Sequence, residues 1–208
     1  MSRHYDAVLF DLLTALLDSW SLWNAVPGSE AAGRSWRAEY LRMTYGTGPY
    51  RPYEDIVREA ADRVGLPSGR ADALAARYSE LKPWPGVTGV LTKLREAGVP
   101  LGVVTNCSEK LGRIAVGRIG VPFEVVVTAE RAGFYKPDPH PYNLALEELG
   151  VAPERSLFVA GSPYDLFGTA RVGLPAFWHD RMGAELEGAP TPIARHRDLM
   201  PLIAVVLG

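Results

Sequence analysis

The chain has 208 residues, of which 47% are hydrophobic and 22% charged, and its formal net charge is −2. This length accommodates one good-sized domain or a domain with a smaller insert. The nearly balanced charge gives no reason to expect nucleic acid or an anionic membrane as a partner. The apolar runs are shorter than a membrane span, and no signal peptide precedes the first strand-like run at Ala7. We therefore expect a cytoplasmic protein.

Five short apolar stretches predict buried parallel strands, and helical patterns separate the later ones. The strands are predicted at Ala7 to Phe10, Leu101 to Thr105, Glu124 to Thr128, Leu157 to Ala160 and Pro175 to Trp178. The helices are predicted at Val87 to Ala97, Leu111 to Ile119 and Pro141 to Leu149, and a glycine follows each of them. This alternation predicts a doubly wound α/β core with a parallel sheet.

The segment between the first two strands breaks this alternation. Helix-like stretches occur at Tyr53 to Val64 and at Arg70 to Leu81, and no clear strand appears between Ser19 and Lys82. We therefore predict a helical cap, residues 19–82, inserted after the first strand. The core is then formed by residues 1–18 and 83–208.

Polar side chains follow three of the predicted strands. Asp11 ends the first strand, Thr105 and Asn106 end the second, and Ser162 and Asp165 follow the strand that ends at residue 160. Because ligands in such sheets bind beyond the carboxyl ends of the strands, these side chains can converge on one site. A lone aspartate in this place can also simply cap a turn, and Ser162 with Asp165 has the spacing of a helix start.

Two further segments carry candidate site residues. Lys136 lies in "GFYKPDPHPY", a loop whose prolines restrict the backbone. Beside strand-end carboxylates its ammonium would keep them ionised, although a solvated surface lysine is an alternative. Asn106 and Glu109 have capping-box spacing, and a helix that began there would offer free N–H groups to a carboxylate. The four histidines show no metal-ligand spacing, so we predict no metal site.

Taken in chain order, these pieces resemble the motifs of the haloacid dehalogenase superfamily. They are an Asp after the first strand, Thr-Asn after the second, Lys-Pro-Asp in a loop, and an Asp at a late helix start. The resemblance implies a Rossmann-like core in which Asp11 is a covalent nucleophile. It also implies that Thr105, Lys136 and Asp165 complete the catalytic residues.

Two positions depart from the magnesium-dependent phosphatases of this superfamily. Those enzymes have a second Asp two residues after the nucleophile, which acts as general acid for the leaving alkoxide. Here that position is Leu13, which cannot exchange a proton. The earlier of the two acids in their last motif is Gly161 here. With fewer carboxylates the site should bind Mg²⁺ poorly, so we expect no cofactor.

The chain resembles more closely the 2-haloacid dehalogenases, which need no metal. Trp36-Arg37 matches their cap Trp-Arg pair, whose arginine holds the departing halide, and Tyr142 matches a tyrosine six residues after the lysine. The substrate-binding residues that we predict are Asn106, Arg37, Leu13, Thr14, Trp20, Tyr142, Ser162 and Trp178.

The resemblance implies that Asp11 attacks C2 of a small 2-substituted carboxylic acid, as in an (S)-2-haloacid dehalogenase that forms a 2-hydroxy acid. Thr14-Ala15 replaces the family's Gly-Thr, and Ser162 replaces an Asn that helps to place water, so the leaving group stays open. The alternative is a hydrolase that opens a strained C–N ring, such as azetidine-2-carboxylate hydrolase. Asp18 would then be available to pair with the ammonium, although a structural role as an acid at the start of the cap is favoured for it. Less favoured are a magnesium-dependent phosphatase and a catalytically weakened binding protein. Besides the carboxylate substrate, the resemblance points to a homodimer partner.

Overall fold

The computed structural model describes residues 3–45, 47–185 and 187–208. Its centre is a six-stranded parallel sheet with the order β3-β2-β1-β4-β5-β6. The strands are β1 (Ala7–Phe10), β2 (Leu101–Thr105), β3 (Val125–Thr128), β4 (Ser156–Ala160), β5 (Ala176–His179) and β6 (Ala194–His196). This architecture confirms the predicted doubly wound α/β fold.

Ten α-helices accompany the sheet in the part of the chain that the structure describes. They are α1 (Ser19–Ala25), α2 (Glu30–Tyr45), α3 (Tyr53–Arg63), α4 (Arg70–Ala76), α5 (Val87–Glu96), α6 (Glu109–Gly117), α7 (Ala129–Ala132), α8 (Pro139–Leu149), α9 (Pro163–Arg171) and α10 (Leu202–Leu207). Within the described ranges, no helix combines the length and the apolar character that crossing a bilayer requires.

Strands β1 to β5 are buried on both faces of the sheet, which explains why they are nearly continuous apolar runs. In β1, Val8 and Phe10 belong to one apolar cluster and Leu9 to the other, as the two-residue period of a strand requires. Residues 7 to 10 are fully inaccessible to solvent. Asp11 is the first residue after β1, so its carboxylate lies at the end of this buried apolar strand.

The chain segment that contains α1 to α4 leaves the sheet region and returns to it at adjacent points. Leu17 and Pro83 form an antiparallel bridge, and the amide of Asp18 donates to the carbonyl of Lys82 at 2.9 Å. The two connections therefore lie side by side where the predicted cap, residues 19–82, begins and ends. The division into cap and core remains a prediction. Below we call α1 to α4 the helical segment.

The structure differs from the sequence prediction at two places near the site. Helix α6 begins at Glu109 with Ser108 as its N-cap, so the prediction that Asn106 caps this helix is wrong. The Asn106 side chain is instead bonded to the backbone of Lys136. Strand β6 was not predicted, because it has only three residues and two of them, Arg195 and His196, are polar and exposed.

Candidate active site

The loop after β1 fixes one oxygen of the Asp11 carboxylate. Residues Leu12–Leu16 form a single wide turn of π-helical geometry, which the amide of Leu17 closes by donating to the carbonyl of Leu12 at 3.0 Å. Asp11 Oδ2 accepts three hydrogen bonds, from the Thr14 amide at 2.7 Å, the Thr14 hydroxyl at 2.6 Å and the Ala15 amide at 3.1 Å. Oδ1 is thereby left to face the rest of the site.

Lys136 joins the two candidate carboxylates. Its Nζ lies 2.8 Å from Oδ1 of Asp11 and 2.7 Å from Oδ1 of Asp165. These three residues are at most 7% exposed, so the charges interact in a poorly solvated environment. The structure thus brings together three of the four predicted catalytic residues, which come from three separate segments of the chain.

Burial and mutual charge set the protonation states of this triad. Burial raises the pKa of the Asp11 carboxyl, but the charge of Lys136 and the hydrogen bonds from Lys136 and Thr14 outweigh it, so the pKa lies below 3.8. Burial also raises the pKa of Asp165; Lys136 opposes the rise, and the charge of Asp11 adds to it. Burial lowers the pKa of Lys136, but the two carboxylates hold it above 10.5. At neutral pH, Asp11 is therefore ionised and Lys136 is charged.

The start of α9 holds Asp165 and lies tightly against the Asp11 loop. Asp165 Oδ2 accepts hydrogen bonds from the amides of Gly161 at 3.2 Å and Ser162 at 3.3 Å, and Ser162 is the helix N-cap, as predicted. A Cβ added to Gly161 would overlap the Thr14 hydroxyl and the Ala15 amide nitrogen. Glycine is therefore required here by the close approach of the two loops.

The Asn106 amide group positions Lys136 through one donor and one acceptor. Its Nδ2 donates to the Lys136 carbonyl at 3.0 Å, and its Oδ1 accepts from the Lys136 amide at 2.7 Å. Asn106 still borders the cavity, but Thr105 does not line it; the Thr105 hydroxyl lies 3.9 Å from the Cys107 sulfur. Burial raises the pKa of Cys107 to about 12, so no thiolate nucleophile is available there.

A cavity of about 160 Å³ lies between this triad and the helical segment. The predicted site residues that line it are Asp11, Leu13, Thr14, Trp20, Arg37, Asn106, Lys136, Ser162 and Asp165. Two predicted substrate-binding residues do not line it. Tyr142 is fully buried, with its hydroxyl 3.5 Å from the Asp165 carbonyl, and Trp178 lies under Arg195, whose Cζ is 4.1 Å from the ring centre.

Arg37 reaches the cavity from α2. Its Cζ lies 3.9 Å above the ring of Trp20, and Nη1 donates to the Ser19 hydroxyl at 3.1 Å. Burial lowers the pKa of Arg37, and no carboxylate of the described ranges forms an ion pair with it. The site therefore contains a buried guanidinium without a direct ion-pair partner among the described residues.

Several further cavity residues were missed by the sequence analysis. Tyr40, Leu41 and Tyr45 lie three, four and eight positions after Arg37 and share its face of α2, so helical spacing could have identified them. Tyr164, which matches the family's aromatic residue just before the last acid, lines the cavity too, as do two residues that were missed, Met182 and Glu185. The last two lie in irregular chain after β5, where no periodic pattern gives a signal.

The donor set of this site is poorly suited to a divalent cation. Oδ1 of Asp11 and Oδ1 of Asp165 both bind the Lys136 ammonium, so a metal ion would have to displace it. Leu13 offers only a backbone carbonyl where a carboxylate ligand would help. Across the described residues, no cluster of three or more His, Cys, Asp or Glu side chains has metal-binding geometry.

Comparison with known proteins places these features in a family. Residues 5–173 match the model of the haloacid dehalogenase-like hydrolases. The chain is 30% identical to (S)-2-haloacid dehalogenase H-109 of Pseudomonas putida, over 93% of this chain and 94% of that protein. It is also 31% identical to a phosphoserine phosphatase of Thermus thermophilus, over 74% of this chain and 68% of the phosphatase. A dehalogenase crystallised as an intermediate complex superimposes with a TM-score of 0.86 at 26% identity, covering 100% of both chains. The chain therefore belongs to the haloacid dehalogenase-like hydrolases.

Proposed function

We propose that the protein is a metal-independent (S)-2-haloacid dehalogenase that converts a small 2-haloacid to a 2-hydroxy acid. The observation that carries the proposal is the buried Asp11 carboxylate, which is ionised and held by Lys136 at the wall of a small cavity. The same cavity contains Arg37, whose charge is available to an anionic substrate. Similarity to (S)-2-haloacid dehalogenases supports this choice of substrate.

In the first step, Oδ1 of Asp11 attacks C2 of the substrate. An O–C2 bond forms while the C2–halogen bond breaks, and the halide departs with the bonding electrons, so C2 is inverted. Oδ1 is the attacking oxygen because Oδ2 already accepts three hydrogen bonds. A halide needs no proton to leave, and Leu13 in place of a general acid is therefore no obstacle.

In the second step, water adds to Cγ of the Asp11 ester. Asp165, whose pKa is raised, accepts the proton of the attacking water and returns it to the departing alkoxide oxygen. During the addition, Oδ2 becomes the oxyanion and is stabilised by the Thr14 and Ala15 amides and the Thr14 hydroxyl. The Cγ–Oδ1 bond breaks, the 2-hydroxy acid leaves, and the Asp11 carboxyl ionises by losing a proton to solvent.

Phosphate-ester hydrolysis is less well supported, although the chain is also similar to a phosphoserine phosphatase. An alkoxide leaving group requires a proton donor beside the nucleophile, and Leu13 cannot serve as one. The C–N ring-opening alternative gains no ammonium partner from Asp18, the acid considered for that role. Asp18 caps α1, accepting hydrogen bonds from the Ser21 amide at 3.0 Å and the Ser21 hydroxyl at 2.6 Å, and it does not line the cavity.

A substrate panel in ¹⁸O water tests the proposal. We expect chloride or bromide release from (S)-2-halopropionates that EDTA does not change, with no turnover of azetidine-2-carboxylate or phosphate esters. In a single turnover with excess enzyme, the product should carry unlabelled oxygen, because its oxygen comes from Asp11. After many turnovers the peptide containing Asp11 should be heavier. Labelled product in the single turnover would overturn the covalent route.

A further inference from the structure

Three consecutive carbonyl groups in the wide turn after β1 accept hydrogen bonds from outside that turn. The Trp84 indole Nε1 donates to the Thr14 carbonyl at 2.9 Å, and the Trp84 amide donates to the Leu16 carbonyl at 2.9 Å. Between them, the Ala15 carbonyl lies 2.7 Å from Nδ1 of His179, the last residue of β5. Two residues from distant parts of the sequence therefore hold the backbone of this turn.

The turn is too short to supply these carbonyls with donors of its own. It closes with the Leu17 amide donating to the Leu12 carbonyl, and the next amide, that of Asp18, donates to the Lys82 carbonyl. A buried carbonyl without a hydrogen bond is costly, so donors must come from elsewhere in the fold. His179 is fully inaccessible to solvent, and its hydrogen bond to the turn is therefore not exchanged for one to water.

Both side chains are hydrogen-bond donors to this turn. An indole N–H can only donate, and the carbonyl that His179 contacts can only accept, so the imidazole carries a proton on Nδ1. Burial lowers the pKa of His179, so the ring is neutral at neutral pH. Trp84 and His179 thus each present one N–H group on a rigid planar ring to the turn.

One of these hydrogen bonds acts on the same peptide group that binds Asp11. The Thr14 carbonyl and the Ala15 amide belong to one peptide group. Its carbonyl accepts from Trp84, and its N–H donates to Oδ2 of Asp11 at 3.1 Å. Hydrogen bonds in such a chain polarise one another, so the indole makes the Ala15 N–H a better donor. His179 holds the peptide group on the other side of Ala15, so this residue is fixed at both ends.

The two steps of the proposed reaction differ in how much they gain from this donor. In the first step, the Asp11 carboxylate loses its negative charge as it forms the ester, so a stronger donor at Oδ2 gives no acceleration. In the second step, Oδ2 changes from a neutral ester oxygen to an oxyanion as water adds to Cγ. A donor that is already held in place stabilises this new charge without reorganisation. Support of the Ala15 amide should therefore accelerate hydrolysis of the ester and not its formation.

We infer that Trp84 and His179 are positioning residues that hold the Ala15 amide as an oxyanion donor for hydrolysis of the Asp11 ester. The inference rests on the proposed function. Neither side chain lines the cavity, so both act through the backbone of the turn and not on the substrate. Hydrogen bonds that served only to stabilise the fold of the turn would affect both steps alike, and this difference can be measured.

Single turnovers with excess enzyme and (S)-2-bromopropionate separate the two steps. Bromide release reports formation of the ester, and loss of the added mass from the intact protein reports its hydrolysis. Trp84→Phe keeps an aromatic ring but loses the N–H donor. We expect it to slow hydrolysis by about 10-fold, which is less than the effect of removing an oxyanion donor outright. Bromide release should change by less than about twofold, so that the ester accumulates. Equal slowing of both steps would overturn the inference.

Two substitutions of His179 test the second donor. His179→Leu removes the N–H group, and we expect it to slow hydrolysis selectively, as Trp84→Phe does. His179→Asn keeps an N–H group near the position of Nδ1 and should restore part of the hydrolysis rate. Hydrolysis at the unmodified rate in folded His179→Leu would overturn the role of this residue. If His179→Leu does not fold by circular dichroism, Trp84→Phe decides the question.

Ser156→Ala is the control for loss of a buried hydrogen bond far from the site. Ser156 is fully buried at the start of β4, and its hydroxyl donates to the Ala152 carbonyl at 2.9 Å. Because the site lies at the opposite ends of the strands, we expect both steps to keep the rates of the unmodified protein. Slower hydrolysis in this control, equal to that of Trp84→Phe, would attribute the effect to lost stability and overturn the inference.

Hydrogen exchange of the Ala15 amide, followed by NMR without substrate, separates this inference from the proposed reaction. We expect this amide to exchange about 10-fold faster in Trp84→Phe and in His179→Leu, because each loses a hydrogen bond that keeps the turn closed. If the unmodified protein releases no bromide but the exchange rate rises as expected, the proposed function fails and the positioning of Ala15 stands. If the exchange rate is unchanged in the folded variants, the positioning role fails.

Discussion

The two walls of the cavity are built on different principles. At the sheet wall, Asp11, Lys136 and Asp165 satisfy one another, and short hydrogen bonds from neighbouring loops fix both carboxylates. At the helical wall, Arg37 has one hydrogen bond and is surrounded by aromatic rings. From this contrast we predict that bond making takes place at the sheet wall, and that the helical wall contributes to substrate binding. Four substitutions test this division.

The largest effect is expected for Asp11→Asn at the sheet wall. An amide cannot form the ester intermediate, so halide release should fall by about 10⁴-fold or more, as when a catalytic nucleophile is removed. Ion chromatography of the released halide measures this loss. Asp18→Asn is the control, because Asn is an equally good helix N-cap, and it should retain full activity. Substantial activity in Asp11→Asn would remove Asp11 from the mechanism.

Lys136→Met should cost both activity and stability, because it leaves two buried carboxylates without their cation. We expect the free energy of unfolding at pH 8 to fall by about 3–5 kcal/mol, measured by urea denaturation. Lys110→Met is the control, because it removes an exposed lysine. It should change the free energy of unfolding by less than about 0.5 kcal/mol.

The difference in stability between the unmodified protein and Lys136→Met should depend on pH in a definite direction. The pKa of Lys136 is raised above 10.5 in the folded state, so its stabilising contribution is complete below that pH. It should disappear as the pH rises through the raised value, because the folded state then loses the extra proton. On the alkaline side, the stability gap between the unmodified protein and Lys136→Met should therefore narrow only above pH 10.5. It should narrow separately at acidic pH, where Asp11 and Asp165 take up protons and no longer need the cation. A gap that closes between pH 8 and pH 10.5 would contradict the raised pKa of Lys136.

Gly161→Ala should disturb the sheet wall without removing any functional group. The added methyl group would overlap the Asp11 loop, so the carboxylate must move, and a displacement of about 1 Å can cost about 100-fold in kcat. Gly89→Ala in α5 adds a methyl group where no atom lies within 4 Å and should leave kcat unchanged. Equal kcat values for the two variants would show that the close contact between the loops is not needed.

The smallest effect is expected at the helical wall, for Tyr45→Phe. The Tyr45 hydroxyl donates to the Tyr164 carbonyl at 3.3 Å, and the side chain is 40% exposed, so water can replace this bond. We expect KM to change by less than about twofold. Tyr40→Phe removes a more buried hydrogen bond, from the Tyr40 hydroxyl to the Asn106 carbonyl at 3.1 Å. It should change KM more than Tyr45→Phe does. The reverse order would place the important contact at the mouth of the cavity.

The sequence predicted the sheet wall better than the helical wall. Asp11, Lys136 and Asp165 follow strands or lie in a proline-rich loop, and strand ends must meet at one edge of a parallel sheet. The inward face of α2 depends on how helices pack, so Tyr40 and Tyr45 were missed. Asn106 was misassigned because a capping pattern does not reveal a competing partner 30 residues away. Cytoplasmic location and a homodimer remain predictions.

The paired connections at Leu17 and Pro83 bear on how the helical segment can be replaced by another one. Because the chain departs and returns one hydrogen bond apart, from Asp18 to Lys82, the helical segment is inserted at a single point beside the sheet. A segment of different length can therefore be accommodated without moving the ends of the strands. We expect that an exchange of these helices, together with the core side chains that they contact, would change one side of the cavity and leave Asp11, Lys136 and Asp165 in place.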